Sequence, residues 1–113
     1  MQPEKVILVE GRSDKQRLHI VLAEPVEILC TNGTISATRL EEILSSYDEQ
    51  ELYVFFDADA SGEKLRSLIK REYPEAIHLY TEPVYREVAT TPLKVLASVL
   101  VNVNIDVKIE FLS

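Results

Sequence analysis

The chain has 113 residues, of which 46% are hydrophobic and 27% are charged, and this ordinary globular composition argues against a disordered or membrane-spanning protein. One domain over residues 1–113 is predicted, since this length cannot hold a second full core. The net charge of −7 argues against tight non-specific nucleic-acid binding, which depends on Lys and Arg. The N-terminal residues lack the pattern of a secretory signal, and the one cysteine, Cys30, permits no internal disulfide, so a cytoplasmic location is predicted.

Apolar runs alternate with helical patterns over the first 80 residues. The predicted strands are residues 5–9, 26–30, 52–56 and 76–80. Apolar residues at helical spacing predict three intervening helices: one capped by Ser13 and ended by Pro25, one from about Ser36, and one after Gly62. Asn32-Gly33 predicts a turn with positive φ. This alternation predicts an α/β fold, with a mostly parallel sheet, right-handed crossovers and flanking helices.

The C-terminal third has a different pattern. Residues 92–100 are apolar nearly all round, which predicts a buried helix, and residues 101–111 alternate strictly between apolar and polar. That alternation predicts a half-buried strand at the sheet edge. Because an exposed edge strand invites pairing with another chain, a homodimer is a further hypothesis.

Acidic side chains follow two of the predicted strands: Glu10 after the first, and Asp57 and Asp59 after the third. Ligands of parallel sheets bind outside the carboxyl ends of the strands, so these carboxylates are expected to converge. Mg²⁺ is bound by one or two carboxylates together with waters and phosphate oxygens, and it would relieve their mutual repulsion. The sequence therefore predicts a Mg²⁺ site here, although for Asp14 or Asp59 taken alone a helix-capping role is the favoured interpretation.

Other residues near these loops are candidates for substrate contact. Gly11 and Gly62 would let backbone or phosphate approach closely. The basic candidates for phosphate binding are Arg12, Lys15, Lys64 and Arg66, because Arg in particular suits bidentate phosphate contact; Lys15 and Lys64 fit solvated helix faces as well. Tyr80 and Tyr85 lie beside a strand end where they could approach a base, but packing is the favoured interpretation.

Residues 9–14, VEGRSD, and residues 56–66, FDADASGEKLR, resemble the two signature motifs of the Toprim family, and the likeness extends over nearly the whole chain. The resemblance implies a three-layer Toprim fold and Mg²⁺-dependent chemistry on nucleic acid, with Mn²⁺ as an alternative ion. It further implies that Glu10 acts as general acid or base and touches the metal, that Asp57 and Asp59 bind it, and that Asp14 is the second acidic position of the first motif.

Thr31-Asn32-Gly33 and residues 62–66, GEKLR, most resemble the Toprim part of the ribonucleases that mature 5S ribosomal RNA. This likeness implies RNA processing in the bacterial cytoplasm. The full set of predicted substrate contacts is Gly11, Arg12, Asp14, Lys15, Asn32, Gly33, Gly62, Lys64 and Arg66. Those ribonucleases carry additional sequence for RNA and protein contacts, so a partner protein that supplies substrate binding is also expected.

Three functions are compatible with the sequence. The first is a metal-dependent nuclease or nucleotidyl-transfer module that acts on nucleic acid, with RNA favoured. The second is a non-catalytic Toprim module that binds metal, nucleotide or a partner protein as a regulator. The third is a phosphatase with Asp57 as nucleophile, which is weaker because that motif normally opens its fold, whereas Asp57 lies in the middle of this chain.

Overall fold

A computed structural model describes residues 3–33 and 35–112. Four strands form one sheet: β1 Lys5–Val9, β2 Glu27–Cys30, β3 Glu51–Phe55 and β4 Ile77–Leu79. They lie in the order β2-β1-β3-β4, and every neighbouring pair is parallel. The predicted parallel α/β sheet is confirmed, and each strand boundary lies within one residue of its prediction.

Four helices flank this sheet: α1 Arg12–Val21, α2 Ala37–Leu44, α3 Ala60–Glu72 and α4 Leu93–Val101. Single turns of 3-10 helix occur at Ser45–Tyr47, Val88–Thr90 and Ile109–Phe111. The predicted cap of α1 was wrong, because the helix begins after Gly11, whose N–H donates to the Asp14 carboxylate at 3.0 Å. Its end was also misplaced, since α1 ends at Val21 and Pro25 lies beyond it. The predicted start of α2 is confirmed, with Ser36 Oγ accepting the Arg39 N–H at 3.1 Å.

The sheet is covered on both faces because its central strands are apolar on both sides. Ile7 and Val9 of β1 pack in one core with Leu18 of α1 and Leu96 of α4. Leu8 points into a second core with side chains of the other two helices, which include Leu40, Leu44, Leu65 and Ile69. The result is a three-layer arrangement in which the carboxyl ends of β1 and β3 open at one edge.

The predicted C-terminal edge strand was wrong. Residues 102–108 form a loop that meets the rest of the fold at one antiparallel bridge, Leu22 with Val107. The Ala23 N–H donates to the Asp106 carbonyl and the Lys108 N–H donates to the Val21 carbonyl, both at 2.9 Å. The segment therefore pairs with the end of α1 and not with the sheet. The homodimer stays a prediction, without the edge strand that suggested it.

The predicted turn after β2 is confirmed, because Asn32 and Gly33 have φ values of 57° and 106°. Across residues 3–33 and 35–112, no helix has the length and apolar character needed to cross a membrane.

Candidate functional site

Glu10 and Asp57 lie together at the carboxyl edge of the sheet. Glu10 follows β1 directly and Asp57 follows β3 after one residue, and these two strands are neighbours. The Asp57 N–H donates to Glu10 Oε2 at 2.7 Å. Pairing of the two central strands thus brings together two acidic residues that are 47 positions apart in the sequence.

The surroundings of Glu10 favour its protonated form. Burial raises the pKa of Glu10 to about 7, and the carboxylates of Asp57, Asp59 and Asp14 act in the same direction, while the Asp57 N–H opposes them. A carboxyl group that titrates near neutral pH can both accept and return a proton under physiological conditions. The edge therefore provides a candidate acid or base.

The loop after β4 holds Asp57 from the other side. The Val88 N–H donates to Asp57 Oδ1 at 2.8 Å, and the Ala58 N–H donates to the Arg86 carbonyl at 2.6 Å. Arg86 has a φ of 54°, in the left-handed region that a non-glycine residue rarely adopts. Sequence reasoning missed this contribution, because the segment carries no motif and the contact arises only from the tertiary fold.

Asp59 caps α3, as its alternative interpretation predicted. Its Oδ1 accepts the Gly62 N–H at 2.7 Å. Gly62 is buried, and a Cβ added there would lie 2.0 Å from the Asp57 carbonyl oxygen, so the close backbone approach predicted for this glycine is confirmed. Gly11 is different, because the nearest atom to an added Cβ is Asp14 Oδ2 at 3.8 Å.

The acidic side chains do not form a closed metal cage. Among the residues that the structure describes, no group of three or more His, Cys, Asp or Glu side chains is placed to hold a metal ion. Each of Glu10, Asp57 and Asp59 commits one carboxylate oxygen to a backbone N–H. Their oxygen atoms are the hard donors that Mg²⁺ prefers, and Mg²⁺ commonly takes only one or two carboxylates from the protein. The donor chemistry fits Mg²⁺, but a site with three protein ligands is not preformed.

Asp14 is an internal residue of this site. Its side chain is buried, with its Oδ2 on the Gly11 N–H, and burial raises the pKa of its carboxyl group. This location fits an electrostatic neighbour of Glu10 better than a surface contact for substrate.

Several predicted substrate residues lie on the β2 side of Glu10. Arg12 is exposed and Lys15 is half-buried. Both lie close enough to Cys30, at the end of β2, for their positive charges to oppose the rise that burial causes in the pKa of its thiol. The Asn32 N–H donates to the Glu10 carbonyl at 2.8 Å, so the turn formed by Asn32 and Gly33 adjoins Glu10. On α3, Lys64 is exposed and pairs with no acidic side chain among the described residues.

Arg66 does not lie on the surface as the phosphate-binding prediction required. It is 1% exposed. Its Nη2 donates to the Phe56 carbonyl at 3.0 Å and to the Leu79 carbonyl at 2.6 Å, and its Nη1 is 3.1 Å from His78 Nδ1. Its guanidinium therefore ties the carboxyl ends of β3 and β4 together from inside the fold, and that part of the prediction is corrected.

Comparisons with known proteins agree with this architecture. Residues 5–86 match the Toprim domain family. The protein YusF of Bacillus subtilis (strain 168) is 50% identical over 109 residues, which are 96% of this chain and 75% of that protein. The solved structure of a small TOPRIM domain protein from Bacillus stearothermophilus covers the whole chain with a TM-score of 0.94 and 53% identity, and 96% of that chain is matched.

Proteins named ribonuclease M5 are more distant. Ribonuclease M5 1 of Ligilactobacillus salivarius (strain UCC118) is 37% identical over 81 residues, 71% of this chain and 43% of that protein. Ribonuclease M5 of Lactiplantibacillus plantarum is 37% identical over 78 residues, 68% of this chain and 41% of that protein. The chain thus spans less than half of the ribonucleases it matches. With most of its length matched by the family and by a solved relative at high identity, the chain belongs to the Toprim family.

Proposed function

We propose that this protein catalyses Mg²⁺-dependent hydrolysis or nucleotidyl transfer at phosphodiester bonds of nucleic acid, with RNA as the favoured substrate and Mn²⁺ as an alternative ion. The observation that carries the proposal is the contact between Glu10 and Asp57 at the carboxyl edge, with the pKa of Glu10 raised to about 7. Membership of the Toprim family and similarity to proteins named ribonuclease M5 support a role on nucleic acid.

Glu10 is the proposed general acid or base. The Asp57 N–H holds one of its carboxylate oxygens at 2.7 Å, so the carboxyl group keeps a fixed orientation while its other oxygen can reach a reacting group. A pKa near the working pH maximises the efficiency of such a group. The same pKa requires that Asp57, Asp59 and Asp14 stay close to it, since their charges contribute to the rise.

Asp57 and Asp59 are the proposed metal ligands, with Glu10 at the border of the site. A bound Mg²⁺ would polarise the phosphate and neutralise its developing charge. The N–H groups of Val88 and Gly62 fix one oxygen of each aspartate, and this orients the remaining oxygens as hydrogen bonds behind metal ligands commonly do.

The substrate would reach the site from the β2 side. Arg12, Lys15 and Asn32 lie beside Glu10 there and are the proposed phosphate contacts, with Lys64 as a further contact from α3. Because the chain has a net charge of −7 and spans 41–43% of the ribonucleases cited above, we propose that a partner protein supplies additional substrate binding. The proposed setting is the bacterial cytoplasm.

A second candidate is a non-catalytic Toprim module that binds metal, nucleotide or a partner protein. Two observations favour it. Asp59 already serves as a helix cap, and within residues 3–33 and 35–112 the acidic side chains form no three-membered metal cluster.

One assay separates the candidates. The purified protein is incubated with structured RNA, single-stranded DNA and a generic phosphomonoester, in Mg²⁺ or in chelator, beside Glu10→Gln and Asp57→Asn. Asp48→Asn is the matched control, because Asp48 is an exposed aspartate that precedes β3 and so lies towards the opposite edge. We expect Mg²⁺-dependent RNA cleavage that falls by about 100-fold or more in both site variants, the range for a lost acid or base, and stays unchanged in the control. Metal-dependent binding without cleavage would support the non-catalytic module, and turnover of the phosphomonoester alone would overturn both.

A further inference from the structure

Tyr80 presents a partly exposed aromatic ring beside the acidic edge. It follows β4 directly, and β4 pairs with β3, the strand that carries Asp57. Tyr80 is 50% exposed even though the Arg66 Cζ lies 3.9 Å from the centroid of its ring. One face of the ring thus rests on the guanidinium, while half of the Tyr80 surface remains exposed to solvent.

Arg66 fixes the position of this ring. With the guanidinium 1% exposed and bonded to the Phe56 and Leu79 carbonyl groups, it cannot leave its place without stranding buried polar groups. A cation placed against an aromatic face holds it by electrostatic attraction. The His78 ring flanks Tyr80 at 6.5 Å between centroids and an interplanar angle of 29°. The ring is therefore held before any ligand arrives.

The same guanidinium connects the ring to the candidate site. Arg66 Nη2 is bonded to the carbonyl of Phe56, the residue immediately before Asp57. Burial lowers the pKa of Arg66, and the negative charge of Glu10 opposes that fall. Glu10 therefore lies within electrostatic range of Arg66. The ring and Asp57 thus follow the carboxyl ends of neighbouring strands, which this guanidinium joins.

We propose that Tyr80, backed by Arg66, stacks on a nucleobase of a single-stranded nucleic acid whose backbone lies at the acidic edge. This inference rests on the proposed function and adds the chemistry of its substrate. Stacking on an aromatic side chain accepts every base, because each has a π face. An acidic protein with few basic side chains at its site gains from such a contact, since stacking requires no positive charge.

The test measures binding of a short single-stranded RNA that carries a central 2-aminopurine, in Mg²⁺ and with nuclease-resistant backbone linkages so that cleavage does not intervene. The variants are Tyr80→Leu, which removes the ring, and Tyr80→Phe, which keeps it. Tyr47→Leu is the matched control, since Tyr47 is a half-buried tyrosine that precedes β3 and so lies towards the opposite edge. A second oligonucleotide of equal length lacks its central bases. We expect the wild-type protein and Tyr80→Phe to quench the 2-aminopurine, and Tyr80→Leu to bind about tenfold more weakly, the effect of one lost stacking contact.

The base-free oligonucleotide separates stacking from structural damage. If Tyr80 stacks, Tyr80→Leu weakens binding of the normal oligonucleotide and leaves binding of the base-free one unchanged. Equal loss for both oligonucleotides, or equal loss in Tyr47→Leu, would overturn the inference. If Tyr80→Leu binds and cleaves RNA as the wild-type protein does, the stacking inference is overturned and the proposed function stands. A wild-type protein that neither binds nor cleaves single-stranded RNA would overturn the proposed function as well.

Discussion

Replacing Glu10 with Gln is expected to stabilise the protein above neutral pH. The substitution removes the charge, while the Gln side-chain oxygen can still accept the Asp57 N–H that Glu10 accepts at 2.7 Å. A carboxyl group with its pKa raised to about 7 binds more protons in the folded state than in the unfolded state, where its pKa is about 4.3. The wild-type protein therefore loses stability as the pH rises between about 4.3 and 7, and Glu10→Gln escapes that loss.

The magnitude follows from the size of this pKa difference. Each pKa unit corresponds to about 1.4 kcal/mol, so the full rise would amount to roughly 4 kcal/mol without solvent screening. Glu10 is only half-buried, and screening by solvent reduces the expected gain to about 1 kcal/mol. For a chain of this size, that gain corresponds to a Tm about 4 °C higher.

The assay is urea denaturation at pH 5 and pH 8 in chelator, on the wild-type protein and Glu10→Gln. Glu41→Gln is the control, because Glu41 is an exposed glutamate of α2. We expect the stabilisation by Glu10→Gln to be present at pH 8 and largely absent at pH 5, and the control to show neither. A Glu10→Gln protein that is less stable than wild type at pH 8, or equally shifted at both pH values, would refute the electrostatic account of the site.

Two further substitutions test the framework of the site by the same denaturation. Gly62→Ala should lower the free energy of unfolding by about 2 kcal/mol or more, because its Cβ would lie 2.0 Å from the Asp57 carbonyl oxygen. Gly11→Ala is the control and should cost less than about 1 kcal/mol, because its Cβ meets nothing closer than 3.8 Å. Similar losses of stability in the two variants would contradict the steric argument. Arg66→Met should cost about 3 kcal/mol, since it strands two buried carbonyl groups, while Arg71→Met, at a side chain that is 70% exposed, should change stability by about 0.5 kcal/mol at most. An Arg66→Met protein that loses no more stability than Arg71→Met would show that the buried guanidinium is dispensable.

The sheet could be predicted from the sequence because its signal is local. The apolar runs at residues 5–9 and 52–56 reflect strands that are covered on both faces, and the helical patterns between them dictate parallel pairing. Glu10 and Asp57 could be placed together by the same logic, since both follow parallel strands. Their shared hydrogen bond follows from that pairing.

The alternation over residues 101–111 was misleading because it only partly follows burial: Ile109, on its apolar side, is 84% exposed. Ile105 and Val107 are buried, but the Ile105 N–H donates to the Leu100 carbonyl at the end of α4, and the bridge with Leu22 involves Val107. Asn104, with a φ of 63°, turns the chain before it could run along the sheet. The period of two therefore runs across a turn, a loop and the 3-10 turn Ile109–Phe111, and not along one strand.

Arg66 was misplaced because its residue type suggested the surface. A signal against that placement was present: Arg66 lies four residues after Gly62 and three before Ile69, and all three are buried on one face of α3. The contacts of Val88 and Arg86 with the Asp57 loop had no such signal, because they depend on where the segment after β4 folds back.

Calorimetric titration tests most directly whether the acidic edge binds Mg²⁺. The ion is titrated into the wild-type protein, Asp57→Asn, Asp59→Asn and the exposed control Asp48→Asn. We expect one Mg²⁺ per chain for the wild-type protein and the control, and binding weaker by about tenfold or more in both site variants, because the metal loses one of its few protein ligands. Unchanged binding in Asp57→Asn, or an equal loss in Asp48→Asn, would contradict the assignment of the acidic edge as a magnesium site.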